Sequence, residues 1–196
     1  MNRRPFVVGI GGTPRRGSSS ERALTISLEA ARSEGAETLL ISGPDIVLPI
    51  YIPDDTHRTA EVQRLIAAFR RCDGVIIASP AYHGSISGLI KNALDYTEDL
   101  RTDQRVYLDG RAVGCLACAS GWQAAGQTLA TLRAIAHALR GWPTPLGAIL
   151  NTSTKVFDDL GNCLDPSVQY QLETVGRQVV EFARLQDERR SSVALI

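Results

Sequence analysis

The chain has 196 residues, enough for one domain with a sizeable core. Its 21 basic and 21 acidic residues balance, which argues against a general polyanion binder and against an acidic electron carrier docking on basic partners. No stretch approaches the roughly 20 apolar residues of a membrane span, and the apolar run behind Asn2, Arg3 and Arg4 is too short for a signal peptide. A cytoplasmic protein with no membrane or nucleic-acid partner is therefore expected.

Apolar runs of strand length alternate with helical patterns. Phe6–Ile10 is predicted as a first strand opening into a glycine-rich loop. Ser20–Ser33 predicts a helix with Ala23, Leu24, Ser27, Leu28 and Ala31 on one face. Thr38–Ser42 predicts a second strand closed by Gly43-Pro44, and residues 45–57 a loop containing VLPIYIPDD. Thr59–Arg71 predicts a helix with Val62, Leu65, Ile66 and Phe69 facing inward. Gly74–Ser79 is a third strand ending at Pro80, and Ser87–Tyr96 a helix. Arg111–Ala119 predicts the fourth strand, Gln123–Leu139 an amphipathic helix, Leu146–Leu150 the fifth strand and Pro166–Ala183 the last helix. The tail 187–196 is polar, then apolar, and is expected to fray. Residues 1–196 show no repeat or linker and are expected to form a single domain.

Near-continuous apolar strands separated by helices predict an α/β fold, with a doubly wound five-stranded parallel sheet and helices on both faces. In such sheets ligands sit outside the carboxyl ends of the strands. That rule selects loops 11–20, 80–87 and 120–123. The only C-x-x-C, Cys115 and Cys118, falls inside the apolar run AVGCLACAS. Residues three apart on a strand point to opposite faces, so both are expected to be buried structural thiols. The three histidines show no metal-ligand spacing.

The first loop reads GGTPRRGSSS. Gly12 and Gly17 have the spacing of a nucleoside-triphosphate P-loop, but Ser18 stands where the lysine belongs. Gly11, Gly12 and Gly17 permit close backbone approach, and Thr13, Ser18, Ser19 and Ser20 supply hydroxyl donors. The next helix aims its N-terminal amides at the same place. This set suits a terminal phosphomonoester without a metal; the alternative is a helix-capping loop with surplus serines. In the second loop Pro80 and Gly84 stiffen a turn whose backbone suits the polar edge of a planar ring, with Tyr82 at its side. Tyr82 and His83 also read as ordinary surface residues. In the third loop Ser120 and Gly121 allow close approach, and Trp122 reads either as an apolar wall or as core or subunit packing.

Together these residues resemble the NADPH-dependent FMN reductase family, a flavodoxin-like group. The family phosphate loop, approximately G-S-x-R-x-x-S-x-[N/S], matches Gly12 to Ser20 with Thr13 replacing the serine. A second signature, approximately S-P-x-Y-[N/H]-G-S-x-x-G-x-[L/I]-K-N-A-[L/I]-D, matches Ser79 to Asp95 almost position for position. The order of elements extends the likeness over nearly the whole chain. The resemblance implies strand order 2-1-3-4-5, with Thr13, Arg15, Ser18 and Ser20 around an FMN phosphate. It implies that Pro80, Ala81, Tyr82, His83 and Gly84 embrace the isoalloxazine and that Ser120 and Gly121 reach its other edge. The activity implied is transfer of hydride from NADPH or NADH to FMN and on to a small-molecule acceptor: a quinone, an azo compound or another flavin. Alternatives are a flavin reductase serving a partner monooxygenase and a flavodoxin-type electron shuttle. Arg15 and Arg16 are candidates for attracting dinucleotide phosphates. Family members that exchange FMN often bulge the helix after strand four; the regular apolar rhythm of Gln123–Leu139 shows no bulge and points to retained FMN. A homodimer or tetramer is implied, with Tyr96, Trp122 and Trp142 suited to an interface.

Overall fold

A computed structural model describes residues 3–193. Strands β1 (Phe6–Gly11), β2 (Glu37–Ile41), β3 (Gly74–Pro80) and β4 (Ala112–Ala119) form a parallel sheet in the order β2-β1-β3-β4. The edge beyond β4 is shared by two short strands. β5 (Trp142–Pro143) pairs with Ala112 and Val113, and β6 (Ala148–Asn151) pairs with Leu116 to Ala119. The expected order 2-1-3-4-5 is borne out, but among the described residues the sheet has six strands, not five. The physical reason is PTPLG: Pro143 and Pro145 have no N–H to give a continuous ladder. Thr144 bridges the break, donating its amide to Val113 O at 3.0 Å and its hydroxyl to Leu146 O at 2.7 Å.

Alternation along the strands divides the core into two layers. Val8, Ile10, Val75, Ile77, Val113 and Cys115 pack with Leu65, Phe69, Ile90 and Leu132 on one face. Val7, Ile76, Ala78, Leu116 and Cys118 pack with Leu24, Leu28, Leu172 and Val179 on the other. The first layer is covered by α2 (Ala60–Arg71), α3 (Gly88–Asp95) and α4 (Trp122–Ala138), the second by α1 (Ser19–Ser33) and α5 (Pro166–Val193). Cys115 and Cys118 thus lie on opposite faces, both buried, and burial pushes each thiol up to about 12.

The helices begin where short polar side chains accept the first-turn amides. Ser18 caps α1, Thr59 caps α2 and Ser87 caps α3. The expected inward faces of α1 and α2 are buried as read. Helices α1 and α5 pack very closely: a Cβ on Gly176 would run into the Ser27 carbonyl, and the Ser27 hydroxyl donates to Leu172 O at 2.8 Å.

Three readings need correction. α5 does not stop at Ala183 but continues to Val193, so 187–193 are helical; residues 194–196 lie outside the described chain. Short 3-10 turns occupy Gly43–Ile46 and Tyr96–Leu100, where a loop and a helix end were expected. Tyr96 cannot serve a subunit surface, because it is 3% exposed and donates its hydroxyl to Pro49 O at 3.0 Å. Among the described residues no helix is long and apolar enough to cross a membrane.

Candidate functional site

β1, β3 and β4 lie side by side and parallel, so the loops after them emerge together at the carboxyl edge of the sheet. The structure brings the first two into direct contact. A Cβ on Gly12 would sit 2.7 Å from Pro80 Cδ, 2.8 Å from Ser87 Oγ and 2.9 Å from Ile90 Cγ1. The second and third loops are linked through β4, where the Ala81 amide donates to Cys118 O at 2.8 Å.

In the first loop the hydroxyls form a chain. Thr13 Oγ1 donates to Ser18 Oγ at 2.8 Å, and Ser18 Oγ lies 3.2 Å from Ser20 Oγ. Ser18 and Ser20 are buried, Ser19 and Thr13 are half-buried, and Arg15 is exposed with no side-chain partner among the described residues. The Ser19 and Ser20 amides fall in the first helical turn, where no intrahelical acceptor is available. This donor set fits a terminal phosphate: three hydroxyls, first-turn amides and a peripheral guanidinium. Arg16 does not join it. Its guanidinium folds over Gly43 and pairs with Asp45 at 3.3 Å and Glu21 at 4.0 Å.

The loop is held from behind by Glu21, which sequence reasoning missed. One carboxylate oxygen accepts the Gly17 amide at 3.1 Å, and the other accepts the Ser42 hydroxyl. The signal was present: Ser18-x-x-Glu21 is the spacing of a capping box.

The second loop is a two-residue hairpin turn. Tyr82 and Ser85 exchange backbone hydrogen bonds of 3.0 and 3.1 Å, with His83 at φ 52° and Gly84 at φ 77° between them. Two consecutive positive φ values define a type I′ turn. Glycine takes that conformation freely; His83 carries strain. Ser79, also missed, anchors the turn by accepting the Ser87 amide at 2.9 Å and donating to Pro80 O at 2.9 Å. Pro80 and Ala81 are half-buried, while Tyr82 and His83 project into solvent.

In the third loop Ser120 is exposed and Gly121 has extended backbone. A Cβ on Gly121 would meet nothing within 4 Å, so this backbone face is open. Trp122 is 59% exposed, which removes the core-packing alternative. α4 starts there and runs to Ala138 as one continuous α-helix, without the bulge.

A doubly wound sheet with loops gathered at the switch between β1 and β3 defines the flavodoxin-like class. The profile of the NADPH-dependent FMN reductase family matches residues 5–154, and the chain belongs to that family. FMN and NADPH are the cofactors of that family. A relative named NADH:(hydroxy)cinnamate reductase subunit CrdA, from Vibrio ruber, is 29% identical over 69% of this chain; the matched stretch spans 66% of that relative's length. A relative from Oryza sativa, named probable NADPH:quinone oxidoreductase 2, is 28% identical over 95% of this chain and 93% of its own. Among solved structures, FerB, a flavoenzyme NAD(P)H:(acceptor) oxidoreductase from Paracoccus denitrificans, superposes with TM-score 0.75. That likeness covers 93% of this chain and 98% of the other at 19% identity, and it is a likeness of fold.

Proposed function

We propose that the chain is an FMN-dependent NAD(P)H oxidoreductase, folded as one FMN-binding domain. The first loop holds the FMN phosphate, the second embraces the isoalloxazine, and the third borders its far edge. The observation that carries this reading is the Thr13–Ser18–Ser20 hydroxyl chain, with both serines buried, on a loop whose Gly12 touches the 80–87 turn. Ser19 adds a further hydroxyl, and Arg15 neutralises charge from the rim. The Pro80–Gly84 backbone is fixed by its own hydrogen bonds and by Ser79, so it presents its polar groups without reorganising on binding. Ser120 and Gly121 offer an uncovered main-chain face.

Bound FMN supplies hydride acceptance and donation, and the chain supplies binding, orientation and electrostatics. No side chain is assigned as acid or base. NAD(P)H and then the acceptor, a quinone, azo compound or second flavin, use the site in turn. The unbroken α4 favours FMN that stays bound between turnovers. A cytoplasmic homodimer or dimer of dimers is the expected assembly. Trp142, exposed and tilted at 36° against Phe182 with ring centroids 5.6 Å apart, suits an interface.

The test is purification followed by gel filtration and steady-state kinetics. Retained yellow FMN with parallel double-reciprocal plots for NADPH and a quinone is the expected result. Colourless protein that turns over only with added FMN, with intersecting plots, replaces this reading by a flavin reductase serving a separate monooxygenase. Light scattering at micromolar protein decides the assembly; a fully active monomer refutes the dimer.

A further inference from the structure

The turn after β2 supplies none of the phosphate donors assigned above, yet it grips the first loop from the side. Ser42 is 1% exposed and packs against the start of that loop, where a Cβ on Gly11 would sit 2.8 Å from Ser42 Cβ. Its hydroxyl is spent on the Glu21 carboxylate. Gly43, at φ 62°, leaves room for Arg16, since a Cβ there would come within 2.8 Å of Arg16 Cδ and Nε. Asp45 then pairs with the same arginine at 3.3 Å.

The first loop needs such a grip. Pro14, Arg15, Arg16 and Gly17 are exposed, so burial does not fix their path. Gly17 turns the chain at φ 68°, and its amide donates to Glu21 Oε1 at 3.1 Å. The other carboxylate oxygen takes the Ser42 hydroxyl and stands 4.0 Å from Arg16. The charges on and around the loop are Arg15, Arg16 and Arg22 against Glu21 and Asp45; Arg22 gives one guanidinium nitrogen to Asp158 O at 2.7 Å. Glu21 has the wrong sign to attract a phosphate. What it can offer an anion is shape: it ties the Gly17 turn to β2 while the hydroxyls of Ser18 and Ser20 stay free of it.

We propose that Glu21 and Ser42 are a positioning pair, by which the turn after β2 latches the first loop into the shape that a phosphomonoester requires. This inference rests on the reading that the first loop holds the FMN phosphate. A loop fixed before binding loses less freedom when the ligand arrives, so a hydroxyl on a neighbouring strand contributes to phosphate affinity through the carboxylate it holds.

The test uses FMN-free protein and two flavins, followed by quenching of flavin fluorescence, with a urea midpoint for each variant to confirm folding. Ser42→Ala should weaken FMN about 3–10-fold more than riboflavin, the size of one net hydrogen bond. Glu21→Ala should do at least the same. Glu21→Gln should bind FMN about 3–10-fold more tightly than Glu21→Ala, because the amide accepts from Gly17 and donates to Ser42 without the charge. Ser42→Ala should add no further loss in the Glu21→Ala background, since it acts through that side chain. Equal FMN affinity in Glu21→Ala and Glu21→Gln, additive losses in the double variant, or equal weakening of both flavins overturns the proposal. Amide exchange measured by NMR without ligand reads the latch by itself: Ser42→Ala should speed exchange at Gly17 and leave the β4 amides unchanged, and unchanged exchange at Gly17 overturns the latch. Parent protein that binds no FMN defeats the functional reading, while faster exchange at Gly17 in Ser42→Ala still supports the latch.

Discussion

Replacing the buried serines of the first loop separates the proposed phosphate role from helix capping, which share the same atoms. Ser20→Ala removes a hydroxyl that lies 3.2 Å from Ser18 Oγ and caps nothing. One charge-assisted hydrogen bond to a phosphate is worth about 1–2 kcal/mol net, so FMN should bind about 5–30-fold more weakly. Ser18→Ala removes a comparable bond and also the α1 cap, whose hydroxyl accepts the Glu21 amide at 3.3 Å. Cap loss costs about 1 kcal/mol of stability, which lowers Tm by roughly 2–4 °C for a chain of this length. Thr13, deprived of Ser18, keeps its 3.2 Å contact with Arg15 O, so the loop is not expected to collapse. The double variant should lose about 2–4 kcal/mol of FMN affinity, while riboflavin, which lacks the phosphate, binds as before. Isothermal titration with both flavins and a melting curve for each variant make the measurement. Equal losses for FMN and riboflavin, or a lower Tm with unchanged FMN affinity, would reduce these serines to helix capping and refute the reasoning.

Gly12→Ala should lower stability by about 1–3 kcal/mol through overpacking against Pro80, Ser87 and Ile90, read from a urea midpoint. His83→Asn should be tolerated at φ 52°, whereas His83→Val should cost about 1–2 kcal/mol, since β-branched residues resist that conformation; the same urea series tells them apart. Arg111 is 1% exposed and gives its guanidinium to the carbonyls of Arg70, Cys72, Tyr107 and Asp109. Arg111→Met should leave those acceptors unpaired, cost about 3 kcal/mol or more, and resist rescue by lysine in thermal melts. Burial raises Cys115 and Cys118 from 9.0 to about 12, so between those values the folded chain keeps protons that the unfolded chain has lost. Their contribution to stability is full below the unfolded value of 9.0 and is lost as pH rises toward the folded value of about 12. The urea midpoint should fall less steeply above about pH 9 in Cys115→Ala/Cys118→Ala than in the parent; equal slopes would exclude these thiols as the cause.

The periodic elements were legible because burial writes them into the sequence. The inward face expected for α1, Ala23, Leu24, Ser27, Leu28 and Ala31, is buried, with Ser27 against α5. What periodicity cannot report went unread. β5 is a two-residue strand, too short to alternate, and its partner in the ladder lies 30 residues back at Ala112. The last turns of α5 carry QDERRSS, whose charged residues face solvent and read as a tail. At the candidate site, residues that present a donor at the surface of a loop were visible as Gly, Ser and Thr. The side chains that hold those loops in place, Glu21 and Ser79, act through single hydrogen bonds. Ser42 reaches Glu21 from the end of another strand, so only the fold reveals its part.

The three loops hang from strands that are adjacent in space but far apart along the chain. Gly11 stands beside Ala78, and Pro80 beside Cys118. On the proposed function, a growing polypeptide therefore has no complete flavin site when its first loop has been made, nor when the 80–87 turn has been made. Both wait for β4, whose last residue is Ala119, to be laid against β3. Cofactor capture at the proposed site is then expected to be a late event in the life of the chain, reporting on assembly of β1, β3 and β4. Flavin fluorescence quenching during refolding should lag behind the appearance of helical signal and coincide with final consolidation, so that the ligand acts as a proofreader of the finished fold.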